Sequence, residues 1–390
     1  MACSSEETTR TAETTSQMKP IAFRSYTAEP TRSSAVYSAE NGINPGQSIG
    51  IYAYYHDNST WADDQAYNLA NPEADVKRLI PNFMWNQKAT CLTKGTDFEY
   101  SPLKYWPNES NDKVSFIAYF PYTVESPGNL DTPAYPANAT GLQTLLANSA
   151  SGLPTFNFTV KESADDQVDF LLTELLPNLP NGTNSVSPSS ADDRSGLTVT
   201  DHVRFLFHHM TSKVEFRIVA ADNVRDAIAH FKLNSLNVTN LYKDGKLTPA
   251  YNDGTTTYAW DEHTAKHGTS PAYTFPLKTQ TSYLFMPQTL SNDVMLNLEY
   301  TVTLKSDGTT YTYDNEGNLV PQQDYTYSNT ASIQLNTMKR TGSETALTEW
   351  LPNHRYVYYI RIGAKAIEFT GQVVDWGATV EMNDIEIEEP

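Results

Sequence analysis

Val114-Ser115-Phe116-Ile117-Ala118-Tyr119-Phe120-Pro121-Tyr122 decides the fold class. Successive side chains of an extended chain point to opposite faces, so Val114, Phe116, Ala118 and Phe120 share one side and Ser115, Ile117 and Tyr119 the other. This is strand period rather than helix period. Working outward, further strand signals stand at Ser48 to Tyr55 (SIGIYAYY), Phe98 to Trp106, Thr155 to Val160 and Val168 to Leu172. Val203, Phe205 and Phe207 alternate with Arg204, Leu206 and His208, and after an expected bulge at His209 to Ser212 the alternation resumes at Val214, Phe216 and Ile218. Later strands are expected at Leu233 to Leu241, Tyr273 to Leu277, Tyr283 to Met286, Val294 to Leu304, Ala331 to Leu335, Arg355 to Ile362 and Ala366 to Val374. Short helices are expected around Leu142, Leu145 and Leu146, and around Val224, Ile228 and Phe231. The chain therefore reads as all-β, with few short helices.

At 390 residues the chain exceeds one sandwich of about 100 to 150 residues and suits two. Charged residues make up 19% and aromatics 12%, with 24 Tyr, a balance that favours half-buried pleated surfaces. Residues 177–200 hold proline, glycine and small polar residues without one aromatic, and read as a linker. The expected partition is a tether at 1–18, a first sandwich at 19–176, the linker, and a second sandwich at 201–390. A net charge of −19 repels phosphate backbones, which argues against a nucleic-acid partner. No run of eighteen apolar residues is present to form a membrane-spanning helix.

Candidate chemistry is thin. The adjacent His208 and His209 point to opposite faces of a strand and cannot converge on one ion, so one buried and one exposed ring is expected. His263 and His267 lie in a polar stretch that lacks further ligands. Asp63-Asp64, Asp165-Asp166 and Asp192-Asp193 lack the alternating oxygens and closing Glu of a calcium loop and read as solvated loop tips. With no nucleophile elbow and no phosphate-binding glycine loop, neither a catalytic residue, nor a metal site, nor a cofactor is expected. Tyr52, Tyr54 and Tyr55, or Trp61 with Tyr67, offer an alternative: an aromatic platform for sugar rings on a surface glycan-binding lipoprotein. The competing reading is that the strand tyrosines fill the sandwich core.

Both ends carry distinct patterns. Residues 4–18 are polar and aperiodic. Cys3 ahead of them is either incidental or the lipid-bearing cysteine of a bacterial lipoprotein whose signal has been replaced by a start codon; the second reading is favoured. A bridge from Cys3 to Cys91 would tie a tail to a core position and is not expected. Lys19 to Tyr26 forms a short strand with Ile21 and Phe23 on one face. Near the other end, Ile385 and Ile387 alternate with Glu386 and Glu388.

Several phrases, taken in order, carry a resemblance: Ile21-Ala22-Phe23; Phe116-Ile117-Ala118-Tyr119-Phe120-Pro121; Asp169-Phe170-Leu171-Leu172; Phe207-His208-His209-Met210-Thr211-Ser212-Lys213-Val214; and Trp350-Leu351-Pro352-Asn353-His354-Arg355-Tyr356-Val357-Tyr358. The chain resembles the fimbrillin family of Bacteroidales, the subunits of type V pili, over nearly its whole length. The resemblance implies two transthyretin-like β-sandwich domains, export as an outer-membrane lipoprotein, and maturation at the cell surface by an arginine-specific protease. It further implies that the cut removes the lipid anchor and first strand, and that a strand from the next subunit, another copy or a related pilin, fills the groove. On this basis Ile21 and Phe23 belong to the removable strand. Arg24 is shielded within the strand pattern and Arg10 would leave the strand attached, so Arg32, after Pro30-Thr31, is the expected cleavage site unless it is an ordinary solvated loop residue. Ile385 and Ile387 are the expected donor residues, with a permanent edge strand as the alternative. The function so implied is adhesion as part of a fimbrium, with the surface ligand left open.

Overall fold

The computed structural model describes residues 20–27, 43–74, 77–95, 97–123, 142–146, 152–180, 202–220, 228–261, 274–278, 281–306, 311–340, 344–362 and 367–374. In chain order the first strands are β1 (Ala22–Thr27), β2 (Ser48–His56), β3 (Met84–Thr93), β4 (Asp97–Glu99), β5 (Lys113–Phe120), β6 (Leu142–Leu146), β7 (Pro154–Thr159), β8 (Leu171–Thr173) and β9 (Leu176–Pro180). Then come β10 (His202–His209), β11 (Ser212–Ala220), β12 (Ile228–Thr239), β13 (Asp244–Asn252), β14 (Thr255–Asp261), β15 (Thr274–Pro276), β16 (Ser282–Phe285) and β17 (Gln288–Thr289). The last are β18 (Met295–Leu304), β19 (Tyr311–Tyr313), β20 (Leu319–Pro321), β21 (Tyr325–Gln334), β22 (Lys339–Arg340), β23 (Glu349–Trp350), β24 (Arg355–Ile362) and β25 (Ile367–Val374). Among the described residues one α-helix, α1 (Trp61–Ala70), interrupts them. The protein is all-β.

The first sheet has the order β1-β10-β8-β5-β2-β3-β4, with β9 also beside β5. At its centre β2 and β5 pair antiparallel from Gly50↔Tyr119 to His56↔Lys113. Ile49, Ile51, Val114 and Phe116 line one core, whereas Tyr52, Tyr54, Ile117 and Tyr119 line another. Both rows are apolar because the sheet is covered on both faces. Gly50 permits the pairing: a Cβ there would lie 2.1 Å from the Tyr119 ring. On one side the sheet curls until its ends meet, where Ile21 N–H donates to Lys104 O and Ser25 N–H to Gly95 O, each at 2.9 Å. On the other side it packs against the sheet β14-β13-β7-β6, which contributes Phe156, Phe158 and Leu247.

The second sandwich faces the sheet β16-β11-β24-β25-β22 against β15-β12-β18-β21. Val214, Phe216 and Ile218 of β11 meet Phe231, Leu233 and Leu236 of β12 and Leu296 and Leu298 of β18 in one core. Strand β11 runs parallel to β24 from Lys213↔Arg355 to Ala220↔Ile362.

Sheet membership departs from the expected partition. Strand β10 joins the first sheet through β1 and β8, and β13 joins the second layer of the same sandwich through β7. The chain therefore passes between sandwiches at Met210-Thr211, where the sequence left one bent strand or two open; there are two, and β10 and β11 belong to different sheets. The expected linker also begins inside β9, whose residues pair with β5.

Neither expected short helix forms among the described residues. Leucines 142, 145 and 146 have helical spacing, but Leu142 to Leu146 pair one for one with Phe158 to Pro154 of β7. Ile228 and Phe231 lie in β12, where bulges near Ile228 and Leu233 disturb the period of two that would have marked a strand; Val224 lies outside the described residues. Of the expected strand Phe98 to Trp106, only β4 at its beginning forms a ladder, and Tyr105 makes an isolated bridge to Pro20.

Candidate functional site: the closing strand of the first sheet

Strand β1 lies parallel to β10, from Ala22↔His202 to Thr27↔Phe207. Its inward residues Ile21, Phe23 and Ser25 are buried, while Ala22 and Arg24 on the other face are half-buried. Phe23 is 0% exposed. Its ring lies 5.2 Å from that of Tyr100, 5.5 Å from Phe205 and 6.1 Å from Phe116. The Tyr100 hydroxyl donates to Ile21 O at 2.7 Å, and Ser25 Oγ accepts from Ile43 N–H at 3.2 Å. Among the described residues β1 thus has a regular ladder on one edge only. Its other edge is met by loop carbonyls, a Tyr hydroxyl and an isolated bridge of Pro20 to Tyr105. A strand held this way can leave without unpairing two neighbouring strands, and its departure bares an edge and a row of apolar pockets.

Cys3, Arg32, Ile385 and Ile387 lie outside the described residues, as do Asp192-Asp193, His263 and His267. Cys91 is a free thiol on β3, buried, donating to Ile43 O at 3.1 Å, and burial raises its pKa.

Three of the five aromatics of the platform are buried in the core, while Tyr55, stacked on Phe83, and Tyr67, under Arg78, are half-buried. Tyr52 and Tyr54 are 0% exposed, and Trp61 begins α1 at 1% exposure, packed edge-on to Tyr54 with centroids 5.0 Å apart. Thr60 and Asp63 form a capping box that starts the helix there. Asp63 and Asp64 are accordingly not a solvated loop tip. The Thr60 hydroxyl donates to Asp63, whose carboxyl this holds below its ordinary pKa, and Asp64 is buried.

Asp64 belongs to a constellation absent from the motif reading. His56 Nδ1 is 2.7 Å from Asp64 Oδ2, and His56 Nε2 is 2.7 Å from Ser115 Oγ. An ionised carboxylate only accepts, so Nδ1 donates to Asp64, and in the neutral ring Nε2 then accepts from the serine. The order of groups mimics a nucleophilic triad, but Ser115 is 0% exposed on a central strand and its Oγ accepts Asn178 N–H at 2.9 Å. The network pins α1 to β2 and β5. His209 is buried against Asp169, at 2.6 Å, and His208 faces Glu174 at 3.5 Å from the opposite side of β10. No group of three metal-ligating residues converges among the described residues.

A family model described as fimbrillin-like matches residues 31–376. No curated protein matches. Among solved structures, a fimbrial protein from Bacteroides vulgatus is similar, with a TM-score of 0.50 and 16% identity over 91% of this chain and 99% of that one. A fimbrilin from Porphyromonas gingivalis aligns at 0.41 and 8% identity over 93% and 99% of the two chains. A tip fimbrial protein from the same organism aligns at 0.32 and 11% identity over 92% and 99%. The likeness to the first is one of fold; with the family model spanning most of its length, the chain belongs to the fimbrillin-like family.

Proposed function

We propose that this protein is a structural subunit of a type V pilus, carried to the cell surface as a lipoprotein on Cys3 and joined to its neighbours by exchange of β-strands. The observation that carries the reading is β1: a short strand near the amino terminus, laddered on one edge and fully buried at Ile21 and Phe23. Burial of each such side chain contributes about 1.5 to 3 kcal/mol, so a groove emptied of β1 binds another strand of matching pattern. An arginine-specific surface protease cutting after Arg32 removes β1, and the segment holding Ile385 and Ile387 of a second copy or related pilin takes its place. Adhesion follows from the filament so built.

The test is limited digestion with an arginine-specific protease, mapping of the new amino terminus, and a gel run without boiling. A cut after Arg32 followed by a ladder of oligomers is expected. A protein that remains monomeric after that cut is not a polymerising subunit, and cleavage only elsewhere removes Arg32 from the scheme.

A further inference from the structure

We infer that Arg204 selects the incoming strand by charge, favouring the acidic segment Asp384 to Glu388 of a second copy over the chain's own β1. The inference rests on the strand-exchange reading above and adds a determinant to it.

In register, Arg24 of β1 lies beside Arg204 of β10. Both are half-buried, on the face away from the Phe23 and Phe205 core. Two arginines as direct neighbours across a strand pair put like charges opposite each other, which opposes the pairing, and Arg24 Nε is buried without a hydrogen-bond partner. Partial burial also reduces screening by salt. The resident strand is therefore well matched to its groove by apolar shape and poorly matched by charge.

The carboxy-terminal segment has the opposite pattern. Residues 384–388 read Asp-Ile-Glu-Ile-Glu. Ile385 and Ile387 are two apart and thus share a face, as do Ile21 and Phe23. Seated inward at the Ile21 and Phe23 positions, or one pair further along at Phe23 and Ser25, they place residue 384, 386 or 388 beside Arg204. This holds for a parallel and an antiparallel approach, because all three of those residues are acidic. Each of these registers exchanges an arginine for a carboxylate next to Arg204.

The test uses full-length variants cut by the arginine-specific protease and scored by ladder formation. Arg204→Glu is expected to reduce polymerisation about tenfold, reversing one cross-strand charge pair. The triple change Asp384→Lys, Glu386→Lys and Glu388→Lys is expected to do the same, and combining it with Arg204→Glu to restore the ladder. Separately, Arg24→Glu should raise the melting temperature of the uncut protein and leave polymerisation after the cut unchanged, since the cut removes that residue. An Arg204→Glu protein that polymerises like the parent, a failure of the combined variant to recover, or an unchanged melting temperature for Arg24→Glu overturns the inference. Loss with Arg204→Glu but not with the triple change shows that another strand occupies the groove, which also overturns it. If the unaltered protein forms no ladder after the cut, the strand-exchange reading itself has failed.

Discussion

Glu215 on β11 is buried, with its carboxylate 2.7 Å from Arg217 Nε and 2.5 Å from Arg355 Nη2. Burial alone would raise its pKa, but hydrogen bonds and charge from Arg355 and Arg217 outweigh that and hold it below the ordinary value of 4.5. A carboxyl depressed by folding stabilises the native state above the unfolded value and loses that contribution as pH falls through the folded one. The second sandwich should therefore lose stability on acidification below 4.5. Glu215→Gln should flatten that acid limb and, by leaving Arg355 buried without its countercharge, cost about 3 to 5 kcal/mol at neutral pH. Melting curves of both proteins across the acid range check this. Such a residue is invisible to motif reading, since Arg355 is 140 positions away. The same distance problem hid His56, whose partner Ser115 is 59 residues off. Local signals were better: that His208 and His209 point to opposite faces follows from strand geometry alone, although His208 is half-buried against Glu174 where an exposed ring was expected.

Among elements, β1 binds its groove through one ladder and a few apolar anchors, and so should act as a detachable ligand. A synthetic peptide of residues 19–27, added after the cut at Arg32, is expected to occupy the groove and suppress the ladder. The same peptide carrying Phe23→Ala loses about 3 to 5 kcal/mol of core packing and should bind at least about a hundredfold more weakly. Titration calorimetry compares the two, and equal affinities would show that the ring is not an anchor. Strands β2 and β5 were legible because burial on both faces makes most of their inward and outward residues apolar or aromatic, from Ile49 to Tyr55 and from Val114 to Phe120, with Gly50 and Ser115 as the exceptions. Strand β6 and the first residues of β12, ahead of the strand expected from Leu233, were misread as helices for opposite reasons. The first is short, with leucines at helical spacing, and is recruited by pairing with β7; the second is long, but its bulges shift the phase. Pairing with a neighbour overrides intrinsic preference in both.

For the whole molecule, the two sandwiches are not two consecutive halves of the chain. A fragment starting at residue 201 carries away β10, β13 and β14, all of which belong to the first sandwich. Residues 1–200 alone are expected to show collapsed NMR dispersion, and addition of the complementary fragment to restore it; native-like dispersion of 1–200 alone would contradict the shared construction. The sequence by itself determined what is local: strand periodicity, the scarcity of catalytic and metal motifs, an apolar face at Ile21 and Phe23, and an ordered set of phrases that resembled the right family. Only the tertiary structure decided which strands are neighbours. It carried β10 back to β1, moved the crossing to Met210-Thr211, buried Tyr52, Tyr54 and Trp61, and set Arg24 beside Arg204. The reason is physical: alternation states which face of a strand is apolar, but partner choice depends on the summed burial and pairing of segments far apart in the chain.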